Sequence, residues 1–319
     1  MGFFDILQSV IGPAVFFSAP LIFTAIGGVF SERSGVVNIG LEGLMVMGAF
    51  VGIVFNLTFH DMLGDWTPWI SILVAMIVSS IFSIIHAIAS VTFRADQVVS
   101  GVAINFLALG LGLFLTKQWY DKGQTDMVER PFYTMDIPIL SDIPFIGPLF
   151  FTGMYLTSYL AILLAFVGWF VLYKTPFGLR LRSVGEHPMA ADTNGINVAR
   201  TRYIAVMISG AMGGLGGSVF ALTIALNFSH STIVGQGFIS LAAVIFGKWH
   251  PLGAMGAALF FGFAQSLSIV SSGIPLLQDV PQVFLMIAPY LLTILALAGV
   301  IGRAEAPKAI GTPYVKGSR

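Results

Sequence analysis

Glu42, Asn38, Asn105 and Gln265 are polar side chains set inside strongly apolar runs of this sequence. A carboxylate can accept hydrogen bonds or a proton, and a primary amide donates and accepts at once, as sugar hydroxyls and base edges require. Glu42 lies in AIGGVFSERSGVVNIGLEGLMVMGAF, Ala25 to Phe50, with Glu32, Arg33 and six glycines. A charge near the centre of a bilayer costs about 3 kcal/mol or more, so it faces protein or water. Glu42 therefore either lines a path and bonds a polar substrate, or holds structure. In the second case it pairs with Arg33 or accepts backbone N–H groups where Gly35, Gly40 and Gly43 break a helix. The structural role is favoured. For Asn38, Asn105 and Gln265 an interhelical hydrogen bond competes with contact to substrate in the same way.

The elements that must position these residues follow from composition. The chain has 319 residues, 56% hydrophobic and 9% charged, against about a quarter charged in soluble domains. Apolar stretches lie near 8–30, 36–57, 69–92, 97–116, 153–173, 203–226, 236–247, 252–271 and 281–301. The expected fold is an all-α polytopic membrane protein of about 8–10 transmembrane helices. The stretch 236–247 is too short to cross a core of about 30 Å as a helix, and reads as half of a broken or re-entrant element. The segments Gly27–Phe50 and Ala243–Gln265 both set glycine and polar residues between apolar runs, as two repeated halves would. The whole chain, 1–319, reads as one transmembrane domain.

Several functions are excluded or disfavoured. The net charge is zero, which leaves no global field for nucleic acid. Cysteine is absent, so there are no disulfides or thiolate metal sites. Neither HExxH nor GxSxG occurs, and His250 has no second histidine or carboxylate beside it in sequence, so no catalytic or metal constellation is visible. The N-terminus lacks the basic region of a signal peptide. Trp249 reads as an interface anchor, and Asp96, after Arg94, as an acid favoured at a helix N-terminus.

Orientation comes from Lys and Arg. Lys174, Arg180, Arg182, Arg200 and Arg202 fall in one loop, 174–202, and Arg303, Lys308, Lys316 and Arg319 in the tail, 303–319. These nine of fifteen basic residues place both segments in the cytoplasm. The acidic, proline- and aromatic-rich segment 117–152 is placed outside. The side of the N-terminus is open.

Within the loop, Pro188 suits a first helical turn, Met189 to Asp192 a helix, and Asn194-Gly195 its end. Ala190, Ala191 and Ile196 would form a small apolar patch there. The order TPFGLRLRSVGEHPMAADTNGI then ISGAMGGLGGSVFAL resembles the coupling loop and small-residue helix of ABC-importer permeases of the simple-sugar, nucleoside and branched-chain amino acid group. SERSGVVNIGLEG, RADQVVSGVAINFLALGL and AVIFGKWHPLGAMGAALFFG match the same group in the same order. SERSGVVNIGLEG is most similar to the nucleoside-type permeases.

The resemblance implies a multi-pass subunit of the plasma membrane, not an enzyme, that forms half of a translocation path. It implies three partners: a cytoplasmic ABC ATPase, a related second permease subunit in a heterodimer, and an external or lipoprotein substrate-binding protein. The ATPase would push on the loop at Gly185, Glu186, His187, Pro188, Ala190, Ala191, Gly195 and Ile196. ATP would be held by that partner and no cofactor by this chain, which has no GxxxxGK[ST] loop. Simple sugars of the ribose or galactose type are the alternative substrates. A stand-alone secondary transporter would need ion-coupling carboxylates, of which Glu42 is the sole candidate.

Overall fold

The computed structural model describes residues 3–271, 283, 284, 287 and 305–316. Its helices are α1 (Phe3–Arg33), α2 (Leu41–Leu63), α3 (Thr67–Ala87), α4 (Gln97–Tyr120), α5 (Ile146–Phe150), α6 (Leu156–Lys174), α7 (Pro176–Glu186), α8 (Pro188–Thr193), α9 (Val198–Phe220), α10 (Gln236–Phe246) and α11 (Pro251–Val270). Among the described residues no extended sheet forms; two isolated bridges, Gln124 to Ser229 and Met135 to Met154, tie the segment 117–152 to the chain after α9 and to the approach to α6. Among the described residues six stretches are long and apolar enough to cross a membrane, and one of them, Leu41–Thr92, spans 52 residues. That stretch is a hairpin. Gly64 turns it with φ +54°, and Ser79 reaches back to the Leu44 carbonyl. The expected span at 281–301 lies outside the described residues apart from 283, 284 and 287.

Local chemistry explains the helix starts. The Asp96 carboxylate caps α4 by accepting from the Val98 and Val99 N–H groups at 2.8 and 2.9 Å. Thr175 and Asn197 cap α7 and α9, and Pro176 and Pro188 occupy first-turn positions where a missing N–H costs nothing. Helix α7 does not stand out in the sequence, because its eleven residues share a loop with charges and lack a long apolar run.

Helix α9 is the hub, and its glycines are the reason. A Cβ on Gly217 would lie 1.9 Å from the Met45 carbonyl of α2, and one on Gly216 would lie 2.3 Å from Thr24 Oγ1 of α1. One on Gly214 would meet Ser79 of α3 at 2.5 Å. Three helices thus approach α9 closely on three sides, the packing mode available where lipid offers no hydrophobic drive. Helix α1 lies between α9 and α11; Ser266 of α11 donates to the Val10 carbonyl, and residues 19–31 of α1 are buried.

The two faces of the bundle differ. Phe4 stacks edge-on against Phe145 at 5.9 Å, so the start of α1 shares a face with the segment 117–152. The end of α1 meets α7, where a Cβ on Gly185 would strike the Arg33 carbonyl at 2.1 Å. The start of α1 and the basic loop therefore lie at opposite faces of the bundle.

Candidate functional site

Residues 34–40 leave helical geometry between α1 and α2, beginning with Gly35 at φ +91°. Irregular backbone at membrane depth must find partners inside the protein, and here it does. The Val37 N–H donates to Gln97 Oε1 at 2.7 Å, and the Val37 carbonyl accepts from His86 Nε2 at 3.0 Å. Asn105 Nδ2 donates to the Ile39 carbonyl at 3.1 Å while its Oδ1 accepts the Gly43 N–H at 2.7 Å. Asn38, fully buried, donates to Ser209 Oγ of α9 at 2.9 Å. Gln97, His86 and Ser209 are buried too. They had carried no signal in the sequence, where a lone Ser or His beside an apolar run is ordinary.

A second break faces the first. The chain leaves α9 through a π-helical turn, Ala221–Ala225, and passes the segment 117–152, where Phe228 and Thr125 exchange hydrogen bonds. It then descends to Gly235, at φ +90°, before α10 begins. The eleven residues of α10 are about 16 Å long at 1.5 Å per residue, half of a crossing. The Glu42 carboxylate accepts the Gly235 N–H at 2.5 Å and the Gly237 N–H at 2.6 Å. A Cβ on Gly237 would lie 2.4 Å from the Glu42 backbone, so glycine is what lets the two breaks meet. The carboxylate takes up donors that the start of α10 leaves open and meets the positive end of its dipole.

The far end of α10 is also held by α1. Trp249 is buried and its indole N–H donates to the Glu32 carboxylate. This corrects the interface-anchor reading, since the ring serves a buried acid rather than a headgroup. Arg33 donates from Nε to the Trp249 carbonyl at 2.8 Å and from Nη2 to the Lys248 carbonyl and Tyr173 hydroxyl, both at 3.3 Å. Its Nη1 lies 3.8 Å from Glu186. Arg33 thus pairs with the loop and not with Glu42.

Asn38, Glu42 and Asn105 gather around the 34–40 break. Gln265 does not join them: it is half-buried on α11 beside Ser266, at the end that packs on Val10. In the loop, Pro188 opens α8 and Gly195 closes it at φ +79°. His187 lies between α7 and α8, and its carbonyl accepts the Ala191 N–H at 3.0 Å. The expected apolar patch is split. Ala191 is buried with Val184 and Val198 and Ile196 packs on them, whereas Ala190 and Met189 face outward. Arg202, expected among the cytoplasmic loop arginines, is buried, 1% exposed. The loop ends at Asn197, and Arg202 lies one turn into α9.

A bundle of apolar helices with two apposed breaks and a helical loop on its basic face is a multi-pass membrane permease. The chain belongs to the family described as branched-chain amino acid transport system / permease component, whose model matches residues 11–297. It is 65% identical over 318 residues to the guanosine ABC transporter permease protein NupQ of Bacillus subtilis, covering 99% of this chain and 100% of that one. It is 52% identical over 316 residues to the nucleoside ABC transporter permease protein NupC of Lactococcus lactis, covering 99% of each. A second guanosine ABC transporter permease protein of Bacillus subtilis, NupP, is 24% identical over 266 residues, covering 82% of this chain and 74% of that one. The protein is a transporter permease subunit of the plasma membrane.

Proposed function

We propose that this chain is one of two different permease subunits of an ATP-driven nucleoside importer. The observation that carries the reading is the 65% identity, over nearly the full length of both chains, with a guanosine permease. Bacillus subtilis has two guanosine permease proteins, and this chain is 65% identical to one and 24% to the other. That divergence supports a related but distinct second subunit. A separate ATPase seats on the outward side of α8, at Met189 and Ala190, and hydrolyses the ATP. A binding protein delivers the nucleoside to the opposite face. Glu42 and Asn105 border the path where the two breaks meet, holding the backbone there and offering amide and carboxylate edges to a passing hydroxyl or base.

The test is uptake of labelled guanosine, uridine, adenosine, ribose and leucine by cells with and without the chain. Loss of nucleoside uptake alone is expected. Loss of ribose or leucine uptake with nucleoside uptake intact would move the substrate to the sugar or amino acid branch of the family.

A further inference from the structure

Residues 305–316 return to the base of the bundle and are tied there by backbone bonds. The Ala309 N–H donates to the Gly185 carbonyl at 2.9 Å, and the Gly311 N–H to the Gly35 carbonyl at 3.1 Å. The Lys308 N–H lies 3.5 Å from the Glu186 carboxylate, and Tyr314 packs on Val184, Ala191 and Val198. One segment therefore touches α7, the core beneath α8 and the 34–40 break together.

Its anchor is Arg202. The guanidinium donates from Nε to the Ser34 carbonyl at 3.2 Å and from Nη1 to the Thr312 carbonyl at 3.0 Å. Among the described residues no carboxylate pairs with it, and its Nη2 lies against Gly35 without a hydrogen-bond partner. A buried cation held by carbonyls alone cannot give one up without a large desolvation cost, so the segment cannot peel away freely. Seven residues along α9, Ser209 holds Asn38. Arg202 and Ser209 thus hold the break at Ser34 and at Asn38, and the segment ties that clamp to α7 and α8.

We propose that residues 305–316 are a strap that carries movement of α7 and α8 to the α1–α2 break, with Arg202 as the positioning residue at its anchor. This rests on the reading of the chain as an ATPase-driven permease. The native chain has no cysteine, so one reporter cysteine at the exposed Val234 follows the approach to Glu42 as the single labelled site of this chain, read on its own band after the subunits are separated. In the assembled importer, ATP changes the labelling rate at that cysteine. Ending the chain after Ala304 reduces the ATP-induced change about fivefold or more. Arg202→Lys, which keeps charge but cannot span both carbonyls, reduces it as well. A strap with only a structural role would lower the amount of assembled importer and leave the ATP-induced change per assembled complex unaltered, in both variants. That result, or no ATP response in the chain with the strap intact, would overturn the proposal. Nucleoside uptake is read separately, so a wrong substrate would show there and not in the labelling.

Discussion

Glu42 on α2 and Gly237 on α10 are joined by a 2.6 Å hydrogen bond from the glycine N–H to the carboxylate, 195 residues apart in sequence. With the Gly235 bond at 2.5 Å, one acidic side chain fastens the start of a half-length helix to the helix that follows the first break. The cost of placing a carboxylate in a membrane is offset by two charge-assisted bonds and the α10 dipole.

Glu42→Gln keeps the shape and removes one acceptor, so an amide N–H₂ must face a backbone N–H. The unsatisfied donor costs about 1–3 kcal/mol. The expected outcome is a lower thermal midpoint and lower abundance of the purified protein, with apparent substrate affinity changed less. A stable variant with altered substrate preference would make Glu42 a substrate contact first and a structural residue second.

Asn105→Ala removes a donor and an acceptor from the 34–40 break at once, leaving the Ile39 carbonyl and the Gly43 N–H open. Each orphaned group costs about 1–3 kcal/mol. The variant is expected to unfold at lower temperature, and its folded fraction to expose residues 36–43 to hydrogen exchange faster than wild type.

Gly217→Ala places a methyl 1.9 Å from the Met45 carbonyl, and backbone there has nowhere to move. Overpacking of this kind costs about 1–3 kcal/mol or more. Gly256→Ala meets nothing within 4 Å and gains up to about 1 kcal/mol of helix propensity. Thermal midpoints of the two variants should shift in opposite directions.

Ala190 and Ala191 are neighbours with different surroundings, so the same substitution should fail in two ways. Ala191→Asp buries a charge among Val184 and Val198 and lowers the amount of folded protein. Ala190→Asp faces outward and leaves abundance intact while abolishing co-purification of the ATPase. Retained ATPase binding with Ala190→Asp would remove α8 from the docking surface.

The spans within the described residues were legible because length and hydropathy decide what crosses a bilayer, and 236–247 betrayed itself by being too short. The possibility that Glu42 accepts backbone N–H groups followed from the cost of a membrane charge beside three glycines. The source of those N–H groups did not, since nothing local ties residue 42 to residues 235 and 237. Long-range pairing hid the rest. Arg202 looks like any loop arginine until Ser34 and Thr312 close around it, and Trp249 looks like a headgroup anchor until Glu32 lies beneath it. Gln265 was grouped with Asn38 on residue type alone, and α11 carries it to the other end of the bundle.

The most direct measurement is guanosine accumulation in proteoliposomes that hold this chain, its related permease and the ATPase, with binding protein on the outer face. Accumulation that requires ATP on the basic face, and is competed by other nucleosides but not by ribose, is the expected result. Accumulation that proceeds equally without ATP, or that ribose competes and nucleosides do not, would contradict the account.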